Sequence, residues 1–381
     1  MKSIQFLLIM ISVSCTTIAP IEQRKSWRKV KTPDEVSTLS HASCFADAMN
    51  FYIFSGIDEN GEGPFNNIGY TYEIKSGSWK KWTNESGPEP IQNFASAKTD
   101  DHIYIFGGQD ADHPNGTNKF YRYTLKGNTW EVLPVSHAID ERWRAAAIVS
   151  DRGFLVYGGK GIKQDLNAAY FDFESKHWDL IPTAGEVGTR VSGVFAYDSH
   201  TVTLLGGFIG TNPQESGFSL DLVSRQWSPL LNPILGPRVN PKFLISDSNL
   251  YVLGGATNFA AQTFGGKYNL REKIWSEIPK IDGFDDYKGY EITLLKDEGL
   301  LLSGGRLNKD NSYNDKLYFY KFKTNHWIEL KSKYSPPGTV GGCLVSNPQR
   351  EVFALGGIMN IKGSGLKHSE GLWILNASEN D

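Results

Sequence analysis

Apolar and polar residues alternate along most of this chain with a period of two, in short bursts separated by polar gaps. The stretch after Phe94 shows one complete unit: ASAK, a turn TDD, HIYIFGG, a gap QDADHPNGTN, KFYRYTL, a turn KGN, then TWEVL. Alternation of this kind, bounded by Gly, Pro, Asn and Asp, predicts four short strands. The unit recurs. A Gly-Gly (Ser-Gly in the first unit) begins at Ser55, Gly107, Gly158, Gly206, Gly254, Gly304 and Gly356, at steps of 52, 51, 48, 48, 50 and 52 residues. In six of the seven units a tryptophan follows 20 to 24 residues later: Trp79, Trp130, Trp178, Trp227, Trp275 and Trp327. A four-strand unit repeated at this period predicts the blades of a β-propeller.

Two details refine the prediction. The first strands carry many small residues, as at Ala42 and Ser43, Ala95 to Ala97, Ala145 to Ala147, Ser192 and Gly193, and Gly341 and Gly342. A ring of blades narrows toward its axis, so these strands are expected innermost. The seventh unit offers only one more strand, HSEGLWILN, and lacks its Trp strand. The segment KSWRKV supplies one, with Trp27 52 residues before Trp79. The expected fold is therefore all-β, a seven-bladed propeller over 25–376 whose ring is closed by an N-terminal strand completing the last blade. A C-terminal tail covers 377–381. The glycines are expected where strand two meets crowding backbone, and the tryptophans between adjacent blades.

The N-terminus reads differently. Lys2 and the apolar run from Ile4 to Val13 suit a signal peptide over 1–14, and the run is too short to span a bilayer. Ser12-Val13-Ser14-Cys15 resembles a bacterial lipobox, with Ser12 where Leu is usual. That resemblance implies lipid on Cys15, an anchor or linker over 15–24 and, with Thr16 after the cysteine, outer-membrane sorting. An ordinary cleaved signal, giving a periplasmic or secreted protein, is the alternative. A formal net charge of -3 lacks the basic excess of a nucleic-acid binder. Cys44 and Cys343 fall in the first and seventh units, neighbours in a closed ring; two buried free thiols are expected, a disulfide being the alternative. Asn84, Asn115 and Asn376 lie in N-x-S/T sequons, which matter only in a eukaryotic secretory pathway.

The segments YIFGG…YRYTLKGNTW, LVYGG…YFDFESKHW, YVLGG…KYNLREKIW and LLSGG…LYFYKFKTNHW resemble kelch repeats. The resemblance covers about Lys25 to Asn376 and implies a propeller, a fold that hosts both enzymes and binding scaffolds. In such blades the turn before strand one and the loop after the Gly-Gly emerge together near the axis. Counting back sixteen from the first glycine gives Arg142, Arg190, Arg238 and Lys288; counting back fourteen gives His41, Asn93, Arg144, Ser192, Asn240 and Tyr290. Gln109, Lys160, Asn258 and Arg306 follow the glycines. One mouth of the channel is therefore expected to bind an anionic ligand, a carboxylate or acidic peptide, through Arg142, Arg144, Arg190, Arg238, Asn240, Asn258, Tyr290 and Arg306. The alternative is that these arginines only bond neighbouring loop carbonyls.

Lys242 and Glu291 lie within inner strands, so each is expected to face channel water or to have a partner. Glu291 is the best acid/base candidate, with a structural ion pair as its alternative. No H-x-H, HExxH or Cys/His cluster is present, and no metal or cofactor is expected. The reading is an exported, envelope-anchored, monomeric binding protein for a protein or a glycan or sugar-acid ligand, attached to the membrane only through its lipid. A carbohydrate-active enzyme resembling the kelch sialic acid mutarotases, using Glu291 with Arg190, Arg238 and Arg306, is the alternative.

Overall fold

The computed structural model describes residues 20–376 except 25, 38, 57–65, 164–166, 184, 186, 192, 199, 232–233, 258–260, 262–264, 308, 333 and 362–364. The predicted signal peptide, Cys15, Ser192, Asn258 and the C-terminal tail lie outside the described residues.

Seven four-stranded antiparallel sheets form the blades. Blade 2 shows the pattern, from axis to rim: Ala95–Lys98, His102–Phe106, Phe120–Thr124 and Thr129–Leu133. The small-residue strands are innermost, as their composition demands. Blade 7 is built from both ends of the chain. Its inner strands are Cys343–Ser346 and Val352–Leu355, followed by Leu372–Leu375 and then, at the rim, Trp27–Val30. Trp27 pairs with Leu375 and Val30 with Leu372. Seven apolar clusters fill the seven blade interfaces. Trp130 lies in the cluster between blades 1 and 2, with Tyr52, Phe54 and Tyr123. Its indole N–H donates to Thr83 O at 3.0 Å, as Trp178 does to Pro134 O and Trp327 to Pro279 O, both at 2.9 Å.

The Gly-Gly pair has a specific job. The second glycine's N–H donates to a carbonyl of the next blade: Gly108 to Arg142, Gly159 to Arg190, Gly207 to Arg238 and Gly305 to Thr339, each at 2.9 Å. Gly357 to Leu39, at 3.2 Å, carries the same stitch across the junction of blades 7 and 1. The first glycine must approach that carbonyl closely. At Gly158, with φ +64, a Cβ would sit 2.1 Å from Arg190 O, so no other residue fits without moving backbone.

Two features differ from expectation. Residues 20–24 are part of the folded body rather than a linker. Ile21 is buried in the cluster between blades 6 and 7, and the Arg24 guanidinium donates to Arg350 O at 2.5 Å. Cys44 and Cys343 are not free thiols but a disulfide, with Cα atoms 6.1 Å apart, joining the inner strands of blades 1 and 7. Ring closure brings together residues 299 apart in sequence, a juxtaposition that thiol burial statistics ignore.

Candidate functional site

On one face, the turn entering each inner strand meets the loop leaving the Gly-Gly. Single bridges join Gln92 to Gln109, Trp143 to Lys160, Val191 to Phe208, Val239 to Ala256 and Val340 to Ile358. In blade 6 the same contact, Lys288 to Arg306, is absorbed into the ladder. Among the described residues, the channel mouth is therefore lined by two segments in each of blades 2 to 7.

The turn residue adopts a left-handed backbone around the ring: His41 at φ 55, Asn93 at 55, Arg144 at 52 and Asn240 at 49, with Gly289 at 71 and Gly341 at 69. For a non-glycine residue this conformation costs about 1 kcal/mol or more. Backbone bonds between blades hold it, with His41 N–H to Gly341 O at 2.6 Å and Arg144 N–H to Asn93 O at 2.8 Å. The geometry turns these side chains toward the opening. Arg144, Asn240, Lys160 and Lys288 are exposed and Arg306 is half-buried. The Arg144 guanidinium lies 5.0 Å and the Lys160 ammonium 5.4 Å from the ring centre of Trp143, giving an aromatic platform with two cations. Beside it, Asn93 Nδ2 donates to Gln109 Oε1 at 2.9 Å.

Deeper in, Lys242 Nζ meets Glu291 Oε2 at 2.7 Å, bridging the inner strands of blades 5 and 6. The ion-pair reading of Glu291 is thus the one its geometry supplies. His41 rests on Gly341, where a Cβ would come within 2.4 Å of its ring. His41 is exposed on one side, yet desolvation where it rests against its neighbours holds the imidazole below its ordinary 6.5; Glu291 pulls it up, while Lys242 and Arg144 push it further down. The unfolded chain therefore takes up the proton first, and stability is lost as pH falls through 6.5 toward the lower folded value. His41→Asn, which tolerates the left-handed turn, is expected to lose less melting temperature than the parent between about pH 7.5 and about pH 5.5. An equal loss in both proteins would remove His41 from that account.

Other expected ligand residues lie elsewhere. Arg142, Arg190 and Arg238 are 1%, 1% and 0% exposed. Each donates through Nη1 to the first glycine carbonyl of its own blade: Gly158 at 3.5 Å, Gly206 at 3.0 Å and Gly254 at 2.9 Å. Burial pushes Arg142 and Arg238 down to about 10, which leaves them charged at neutral pH. These three arginines are clamps inside the blades and do not line the mouth. Tyr290 is likewise buried, at 5.5 Å from the Phe284 ring. Its hairpin is one residue longer than those of blades 1 to 3 and 5: Tyr290 lies opposite Gly304, 14 residues away, whereas Ala146 opposite Tyr157 puts Ala145 across from Gly158, 13 away. A one-residue offset turns a side chain to the other face, so Gly289 takes the turn position instead. Trp143 escaped the register count because it sits one residue before Arg144.

The far face carries two open grooves of about 670 Å³ and 560 Å³, at blades 1–2 and 2–3. Acids and bases interleave there, with Asp47, Glu73, Lys80 and Lys126 in one and Asp151, Lys98 and Arg122 in the other. Among the described residues, neither groove sets two cations against one aromatic ring, as Trp143 has at the mouth.

Residues 16–207, half of the chain, match the family profile described as the KLHDC2/KLHL20/DRC7 Kelch-repeats domain. Kelch domain-containing protein 10 of Xenopus tropicalis is 22% identical over 294 residues, covering 68% of this chain and 69% of that protein. Multiple epidermal growth factor-like domains protein 8 of Rattus norvegicus is 23% identical over 269 residues, 63% of this chain but 10% of that protein. Kelch repeat and BTB domain-containing protein 3 of Mus musculus is 24% identical over 222 residues, 52% of this chain and 35% of that protein. With the repeat period, the Gly-Gly stitches between blades and these similarities together, the chain belongs to the kelch-repeat family.

Proposed function

We propose that this protein is an exported kelch interaction module whose channel mouth recognises an acidic segment of a protein partner. One observation carries the reading: Arg144 and Lys160, both exposed, flank Trp143 on a backbone held in a left-handed turn by the neighbouring blade. Preformed cations beside an aromatic face suit a carboxylate-bearing segment with an apolar or aromatic neighbour. Glu291 is already paired with Lys242 in the channel below, so it is not the partner of Arg144 or Lys160. A protein partner is preferred to a sugar acid because the binding groups are spread around a rim rather than gathered in an enclosed pocket. Export rests on Lys2 and the apolar run Ile4 to Val13, and anchoring on Cys15.

The test is fluorescence anisotropy with labelled Asp/Glu-rich peptides carrying one aromatic residue, against the same peptides with Asn/Gln. The acidic peptides should bind in a salt-sensitive way. Arg144→Ala with Lys160→Ala should weaken them at least ~10-fold without lowering the melting temperature. Equal binding of the Asn/Gln peptides, or of the double variant, would sink the reading. Membrane fractionation of Cys15→Ser tests the anchor separately: the variant should leave the membrane fraction.

A further inference from the structure

We infer that the junction of blades 7 and 1 is a redox-closed seam: the propeller shuts fully only when a thiol–disulfide oxidase joins Cys44 to Cys343, and reduction loosens it at this junction. Six of the seven blade interfaces are made by blades consecutive in sequence. The seventh unites residues 299 apart, so its closure carries the largest loss of chain entropy. The chain has three cysteines, and two of them stand at this junction. The flanking interfaces use weaker links between inner strands. Ser43 Oγ meets Ser96 Oγ at 2.6 Å between blades 1 and 2, and Thr293 Oγ1 meets Ser346 Oγ at 3.1 Å between blades 6 and 7. Among the described residues, only the seam has a side-chain cross-link between inner strands that is covalent, the disulfide.

Chain order makes this closure late. Trp27–Val30 is synthesised first, yet its partner strand Leu372–Leu375 comes last. Cys343 likewise follows nearly all of the blades. The rim strand and the inner-strand disulfide therefore seal one gap from its two sides. The disulfide sits toward the mouth end of the inner strands, two residues past Gly341, on which His41 rests. Both half-cystines are partly exposed, and Cys343 lines a small cavity with Glu291 and Thr339, so the bond is not sealed in the core.

The chemistry balances with a dithiol–disulfide oxidase as co-reactant. One cysteine thiolate attacks the oxidase disulfide and releases the first oxidase thiolate. The second cysteine, losing its proton, attacks the protein-side sulfur of the mixed disulfide and expels the second. Two electrons and two thiol protons pass to the oxidase, and one S–S bond is gained here for the one lost there. This inference rests on the exported reading only for where the oxidant is met, since such bonds persist in oxidising compartments.

The experiment uses the full chain isolated from its native host. Alkylation before reduction should leave Cys44 and Cys343 unmodified, and digestion should give one cross-linked peptide containing both. Purified reduced protein, titrated with glutathione disulfide, should regain the bond. Reduction should lower the melting temperature by about 5 °C and speed amide exchange in Ser43–Ala46, Cys343–Ser346 and Trp27–Val30 at least ~10-fold, with blades 3 and 4 unchanged. Cys44→Ser and Cys343→Ser should each behave like the reduced parent even without reductant. Failure of the bond to form in the glutathione titration, or a uniform exchange response across all blades, would overturn the inference. Free thiols in a protein found in the cytosol, with the titration succeeding, would overturn export instead.

Discussion

Trp27→Ala is expected to cost about 3–5 kcal/mol in chemical denaturation. Trp27 is 4% exposed and packs in the cluster of blades 6 and 7 with Leu317, Phe319, Val352 and Leu375. Its strand is also the only cover for the edge of Leu372–Leu375 among the described residues. The substitution therefore removes a large buried side chain and weakens the strand that keeps the edge paired. Exposed edges recruit other chains, so the variant should also aggregate more readily on mild heating. Trp27→Phe keeps most of the buried area and should recover more than half of the loss. A Trp27→Ala protein as stable as the parent would mean that the disulfide and the inner strands close the ring alone.

The circular plan was legible in the sequence because it repeats: six glycine pairs and one Ser-Gly at near-constant steps leave one architecture, and the missing last strand points to KSWRKV. Register was legible only while hairpin length stayed constant. Counting back fourteen from the glycines finds His41, Asn93, Arg144 and Asn240 at the left-handed turn, and in blade 6 falls one residue late on Tyr290. Side-chain direction was not legible at the arginines. Arg142 and Arg144 are two residues apart, yet one is buried on carbonyls and the other is exposed over Trp143. The left-handed residue between strand and linker breaks the simple alternation that would put both on one face. The Cys44–Cys343 bond followed from closure, and closure was predicted; what composition could not supply was that both sulfurs lie at the same depth in adjoining strands.

Arg190→Ala should likewise destabilise the protein by about 3–5 kcal/mol, whereas Arg144→Ala should change stability by less than ~0.5 kcal/mol. Arg190 donates through Nε to Val187 O at 2.9 Å, through Nη1 to Gly206 O at 3.0 Å and Ser216 O at 2.7 Å, and through Nη2 to Ser216 Oγ at 2.8 Å. Its own carbonyl receives Gly159 N–H from blade 3, so this residue ties two blades together. Truncation leaves several buried acceptors without a donor and a cavity beside Phe218, over which the guanidinium lies at 5.2 Å. Backbone stitching survives in Arg190→Ala, so the fold should persist at reduced stability, measurable by urea midpoint. Arg190→Lys offers a single ammonium in place of the planar fork and should restore only part of the loss. The contrast with Arg144 separates the two roles that the sequence left side by side. If Arg190→Ala instead kept its stability and lost affinity for acidic peptides, the arginine would have to reach the mouth, and its carbonyl bonds would not describe the protein in solution.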